Sequence, residues 1–292
     1  MTTILITGAS SGIGRDAALS LATAGHHVIA AARRLPALEL LRDAAPAGSI
    51  TPLRLDLDDA ASIESAAAEI ERLTAGRGVD VLINNAGFAT AGVLAELSDG
   101  DLRAQFETNV FGLMALTRAM LPAMLDRGAG RIVNVSSVSG RIPAPVLGAY
   151  HASKYALEAL SDALRMEVAP FGVRVVIIEP GTIRTEFASR VMAEAAKAAK
   201  ARSSSRRYAS IYARAAAMEA RFDGMAGDTR PVIEAITHAV LARRPRARYV
   251  APRRFTALIA VVRLLPTCWV DAAMQRMFGL TRTQLAAGTP MP

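Results

Sequence analysis

The chain has 292 residues, 52% of them hydrophobic, which is enough for one large α/β domain with an appendage and excludes a disordered chain. Its single cysteine, Cys268, excludes an internal disulfide framework and a thiolate metal cluster. The net charge of +8 is uneven: residues 1–189 carry 16 basic against 20 acidic side chains and residues 190–292 carry 18 against 6, so attraction for phosphates, anionic membrane surfaces or nucleic acid is confined to the last third.

Met1-Thr2-Thr3 runs into an apolar segment without a basic start, so no secretory or transit peptide is expected, and with the lone cysteine this points to a cytoplasmic protein. No stretch reads as the roughly 18 to 20 apolar residues that span a bilayer. Short Ile- and Val-rich runs alternate with longer Ala- and Leu-rich stretches, the pattern of βαβ units around a parallel sheet. Strands are expected at Thr3 to Thr7, His27 to Ala31, Thr51 to Asp56, Val79 to Asn84, Arg131 to Ser136, Val173 to Ile178 and Arg248 to Ala251. Helices are expected at Gly12 to Ala24, Ala60 to Leu73, Asp99 to Leu125, Tyr150 to Ala169 and Val232 to Leu241. The fold class is therefore α/β, a doubly wound parallel sheet of Rossmann type with about seven strands. Residues 1–252 form the catalytic domain in this reading, with a helical lid over 185–230, and 253–292 form an apolar, basic extension.

Ligands of such sheets bind at the carboxyl ends of the strands, and the motifs fall there. After the first strand comes Thr7-Gly8-Ala9-Ser10-Ser11-Gly12-Ile13-Gly14, which opens a helix: glycines for a tight turn, for close approach to a pyrophosphate and for close helix packing. The helix amino terminus adds free N–H groups for a dianion. The second strand ends not in a carboxylate for a ribose 2′-hydroxyl but in Arg33-Arg34, with Arg15 past the glycine loop. Guanidinium groups there suit a 2′-phosphate, which predicts NADP over NAD.

Tyr150 and Lys154 stand four residues apart, on one helix face, so an ammonium lies beside a phenol. A free tyrosine titrates near 10, and lowering that by about 3 units takes about 4 kcal/mol of preferential phenolate stabilisation, which a desolvated cation supplies. Ser137, 13 residues before the tyrosine, is the favoured hydroxyl donor, with Ser136 and Ser139 as competitors. His151 turns about 100° away from Tyr150 around the helix, to a surface or packing role. No His, Cys and acid cluster offers a metal site.

These motifs, with Asn84-Asn85-Ala86-Gly87, Asn109 and Pro180-Gly181, resemble in order a classical short-chain dehydrogenase/reductase over about Thr3 to Glu186. The resemblance implies that Tyr150 exchanges a proton with the substrate oxygen and that Lys154 lowers its pKa and bonds the nicotinamide ribose. Ser137 then donates to the carbonyl, and Asn109 holds Lys154 through a water. It further implies that Asp56 and Leu57 flank the adenine, that Asn84 to Gly87 line the adenosine side, and that Pro180, Gly181, Thr182 and Thr185 meet the nicotinamide half. Homodimers or homotetramers follow from the same resemblance, and its NADP-preferring branch for hydroxysteroids and retinoids fits the apolar extension.

That extension, Phe255 to Leu265 and then Cys268-Trp269, Met274, Met277 and Phe278, is open to three readings: core or oligomer packing, a cover over a lipophilic alcohol or carbonyl substrate, and peripheral membrane contact aided by Arg253, Arg254 and Arg263. In the lid, Met192, Ile211, Tyr212, Met218 and Phe222 either face a nonpolar substrate or pack together. The expected activity is NADP-dependent interconversion of an alcohol with a ketone or aldehyde, and a non-catalytic NADP-binding redox sensor is the alternative. Nucleic acid is not expected as a partner, because the basic end has no groove-reading motif or interleaved aromatic pattern.

Overall fold

The computed structural model describes residues 1–187, 189, 191, 193, 208, 210–214, 217 and 226–286. Seven parallel strands form one sheet in the order β3-β2-β1-β4-β5-β6-β7. They are β1 (Thr3–Thr7), β2 (His27–Ala32), β3 (Ile50–Arg54), β4 (Val81–Asn84), β5 (Gly130–Val135), β6 (Val173–Pro180) and β7 (Arg248–Ala251). The order reverses between β1 and β4, which opens a crevice at the carboxyl ends of those two strands.

Side chains alternate across the sheet with the period of two that strands impose. Ile4, Ile6, Val28, Val133 and Val176 enter one core with α1 (Gly12–Thr23), α2 (Leu35–Asp43) and α7 (Arg230–Leu241). Leu5, Ile29, Leu82, Ile132 and Val175 enter the other with α3 (Ala60–Leu73), α5 (Leu113–Asp126) and α6 (Gly148–Val168). Each such side chain contributes roughly 1.5–3 kcal/mol by leaving water. Helix starts are locally specified: Asp59 accepts from Ala61 N ahead of α3, and Ser98 with Asp101 forms a capping box ahead of α4 (Asp99–Phe106).

The expected Asp99 to Leu125 helix is two helices joined by a π-helical turn, Glu107–Gly112, and this turn carries Asn109. By length and composition alone, Asp99–Asp126 passes as a membrane span, the one such helix among the described residues, yet Leu116, Met120 and Met124 bury it against the sheet. Helix α2 is absent from the sequence reading, and the carboxyl-terminal segment proves helical: α8 (Phe255–Leu264), α9 (Thr267–Met277) and α10 (Arg282–Ala286). Of the residues proposed to face substrate from the lid, Met192, Met218 and Phe222 lie outside the described residues. Tyr212 is buried, but against Val146, and its hydroxyl accepts from Val93 N and donates to Glu96; Ile211 packs beside it, so these two serve docking of the segment.

Candidate active site

A continuous cleft of about 1410 Å³ runs along the carboxyl ends of the strands. At one end the glycine loop contributes Gly8, Ser10, Ser11, Gly12 and Ile13, and the facing wall is Asn85, Ala86 and Gly87. Thr7 clamps the two walls, its hydroxyl accepting from the backbone N–H groups of Asn85 and Ala86 at 3.0 Å, while the Asn85 amide donates to Thr7 O. Asn85, within the Asn84 to Gly87 run expected to line the adenosine side, is thus the member of the run whose side chain braces the glycine loop. Asp56, Leu57 and Asp58 form the floor beyond β3. Arg33 and Arg34 stand at the rim, Arg33 at 4.0 Å from Asp58 and Arg34 at 4.0 Å from Glu186 and 3.4 Å from the Ser10 hydroxyl.

Four residues assigned to the site stand outside this lining. Asn84 is buried in the sheet, where its amide donates to Thr117 and Asn134, so it braces β4 against β5 and α5. Gly14 packs the first helix onto the loop; a Cβ there would sit 2.4 Å from Gly8 O. Arg15 is exposed on α1. Asn109 has its amide fully engaged, donating to Phe88 O and Ser153 Oγ and accepting from Phe88 N, so it anchors the loop after β4 to α6, while the Lys154 ammonium bonds Val135 O instead.

The other half of the cleft gathers Ser137, Tyr150 and Lys154. Ser137 ends β5's loop, its hydroxyl donating to Pro180 O and accepting from Ser139 N. Ser136 is buried, and its hydroxyl serves the Glu158 carboxylate, whose charged form it favours. Lys154 donates to Val135 O at 2.9 Å, and its Nζ lies 5.9 Å from the Tyr150 ring centre. The pKa expectation for the tyrosine is reversed: burial pushes the phenol up to about 12, with the neighbouring Ser137 hydroxyl pulling the other way. Burial also lowers Lys154 to about 8, opposed by the charge of Glu158 one turn on. His151 is buried rather than superficial, its Nδ1 2.9 Å from Ser139 O, and burial lowers its pKa.

Beyond the tyrosine the lining turns apolar. Phe187 lies 5.7 Å from the Tyr150 ring, and Pro143, Pro145, Val146 and Leu147 form one side. The opposite side comes from the carboxyl-terminal helices through Phe255, Leu258, Ile259, Val262, Met274, Met277 and Phe278, so this segment covers the chamber. The Phe255 ring rests on Gly181, where a Cβ would lie 2.2 Å from it, and Pro180, Thr182 and Thr185 border the same point.

The family model described as short chain dehydrogenase matches residues 2–196. The chain belongs to the short-chain dehydrogenase/reductase family. As a member it is an oxidoreductase that binds a nicotinamide cofactor and a small-molecule substrate. It is 38% identical over 272 residues to the uncharacterized oxidoreductase YbbO of Escherichia coli K12, covering 93% of each chain. It is 34% identical to human 17-beta-hydroxysteroid dehydrogenase type 1, covering 98% of this chain and 89% of that one. A short-chain dehydrogenase from Streptomyces avermitilis superposes with a TM-score of 0.74 at 31% identity, over 99% of this chain and 98% of that one. The dehydrogenase cleft fits the cofactor in its donor set: an open glycine loop, a helix amino terminus and two guanidinium groups at the rim.

Proposed function

We propose that the protein is an NADP-dependent dehydrogenase/reductase that interconverts a lipophilic alcohol with its ketone or aldehyde. The observation that carries this reading is the continuity of one cleft, with Arg33 and Arg34 at one end, Tyr150 midway and an apolar chamber at the other. The kinship with a hydroxysteroid dehydrogenase supports the same substrate class.

In this reading Gly8 to Ile13 and Asn85 to Gly87 hold the dinucleotide, Arg33 and Arg34 hold its 2′-phosphate, and Pro180 to Thr182 border its nicotinamide. When bound, the cofactor supplies or accepts the hydride. The protein's own residues handle the proton and the orientation. Ser137 donates to the substrate oxygen, Tyr150 gives or takes the proton at that oxygen, and Lys154 stabilises the phenolate and pins the ribose. Phe187, Phe255 and Ile259 exclude water from around the reacting oxygen and select for apolar substrates.

The test is NADPH consumption across steroid, retinoid and long-chain carbonyls, with NADH, Tyr150→Phe and Arg33→Ala/Arg34→Ala as comparators. Tyr150→Phe is expected to lose turnover by about 10² or more with cofactor binding kept. The double arginine variant is expected to lose most of the NADPH preference. Full turnover in Tyr150→Phe, or unchanged kcat/KM ratios for the two cofactors in the arginine variant, refutes the corresponding assignment.

A further inference from the structure

Surface helices ordinarily turn their apolar stripe inward. Helices α8 and α9 do so only in part: they line the chamber, yet Ile259 is the one buried residue of α8, and α9 has none. Leu258, Val261, Leu264 and Leu265, spaced three to four residues apart along one face of α8 and its end, and Trp269 on α9 are between 38% and 85% exposed, an apolar patch on the carboxyl-terminal helices. Between residues 252 and 286 the sequence carries five arginines, Arg253, Arg254, Arg263, Arg276 and Arg282, against one acid, Asp271. Exposed aliphatic side chains, a tryptophan and surrounding guanidinium groups are the composition of an element that lies in the headgroup boundary of a bilayer. A second copy of the chain fits this surface poorly, since pairing the patch with itself brings the two arginine sets together.

The patch is also continuous with the chamber. Leu258 and Met277 are 49% and 40% exposed and both line the cleft, so its mouth opens on this face. We propose that α8 and α9 dock on the surface of an anionic phospholipid bilayer, which sets the chamber mouth against the lipid. Docking stands on the helices and their charge, not on the identity of the substrate, so a binding measurement tests it apart from the activity proposed above.

Trp269 and Cys268 are the sole tryptophan and sole cysteine of the chain and lie exposed on α9, so the protein carries its own probes. The full chain is titrated with vesicles of phosphatidylcholine alone and of phosphatidylcholine with phosphatidylglycerol. The expected result is a blue shift of Trp269 emission and co-sedimentation at least about tenfold stronger with the anionic vesicles, weakening as salt is added. Val261→Ser with Leu264→Ser, exposed positions outside the cleft lining, is expected to weaken vesicle binding by about tenfold while turnover of a water-soluble carbonyl is unchanged. An unshifted Trp269 with the protein left in the supernatant overturns the proposal, as does equal binding to both vesicle types. Cys268 protected from maleimide in a concentration-dependent way without vesicles also overturns it, because a second copy then covers the patch.

Discussion

Tyr150 and Lys154 share a face of α6, and burial acts on them in opposite senses, raising the phenol to about 12 and lowering the ammonium to about 8. A phenol that stays protonated throughout the neutral range is a proton source limited by its neighbour: above about pH 8 Lys154 loses its charge and with it the support for a phenolate. For carbonyl reduction, kcat/KM is therefore expected to be level near neutrality and to fall as pH rises through about 8. Glu158, four residues after Lys154, favours the charged ammonium. Its own pKa is raised to about 7, first by burial and then by the charge of Glu179, with the Ser136 hydroxyl and Arg248 opposing, so it is ionised where the lysine titrates. Glu158→Gln removes that negative charge, lowers the affinity of Lys154 for its proton and moves the limb to lower pH. A pH profile of kcat/KM reads the change, and an unmoved limb would show that Glu158 does not tune the lysine.

At the scale of elements, the strands and the glycine loop were legible because sheet period and turn chemistry are local properties of Ile4-Leu5-Ile6 and Gly8 to Gly14. What tertiary contact decides was not. The nine residues of α2 are too few for helical periodicity to register, though Leu38 and Leu41 bury it. The π turn in Glu107–Gly112 carries Asn109, whose amide bonds Phe88 and Ser153, partners that only the folded chain brings near. Asn84 has the same lesson: the Asn-Asn-Ala-Gly run marks the cleft, but period two along β4 turns Asn84 into the core and leaves Asn85 at the wall. A buried chain of bonds runs from Thr117 through Asn84 and Asn134 to Ser161, tying β4, β5, α5 and α6. Asn84→Ala leaves Asn134 and Thr117 short of a partner and is expected to cost about 1–3 kcal/mol. This reads as a lower urea midpoint at unchanged slope, with the NADPH Kd of the folded protein unaltered. A selective loss of NADPH affinity at full stability would instead return Asn84 to the cofactor site.

Across the whole molecule, one charge network joins α6, β6 and the edge strand β7, which leads into the carboxyl-terminal helices. Arg141 lies 2.8 Å from Glu179 and 3.8 Å from Glu158; Arg248, on β7, lies 3.1 Å from Glu158 and 3.2 Å from Glu179 and also bonds Asp162. Arg165 pairs with Asp162 as well, so three guanidinium groups meet three carboxylates, but Glu179 is only 1% exposed, and burial first, with the charge of Glu179 beside it, raises Glu158 so that it holds a proton up to about pH 7. The sign follows: between the ordinary carboxylate value of 4.5 and about 7 the folded state binds more protons than the unfolded one, so this group's contribution to stability declines as pH rises through that window. Arg248→Met removes one of the two cations that face Glu158 and Glu179, leaves that buried pair underpaired and is expected to destabilise by about 3–5 kcal/mol. It also drives the folded pKa of Glu158 higher still, which extends the declining window upward. Urea midpoints at pH 5 and pH 8 distinguish this from a packing defect: the gap between wild type and variant widens at pH 8 if charge pairing is what Arg248 supplies, and a gap equal at both values would assign the loss to packing alone.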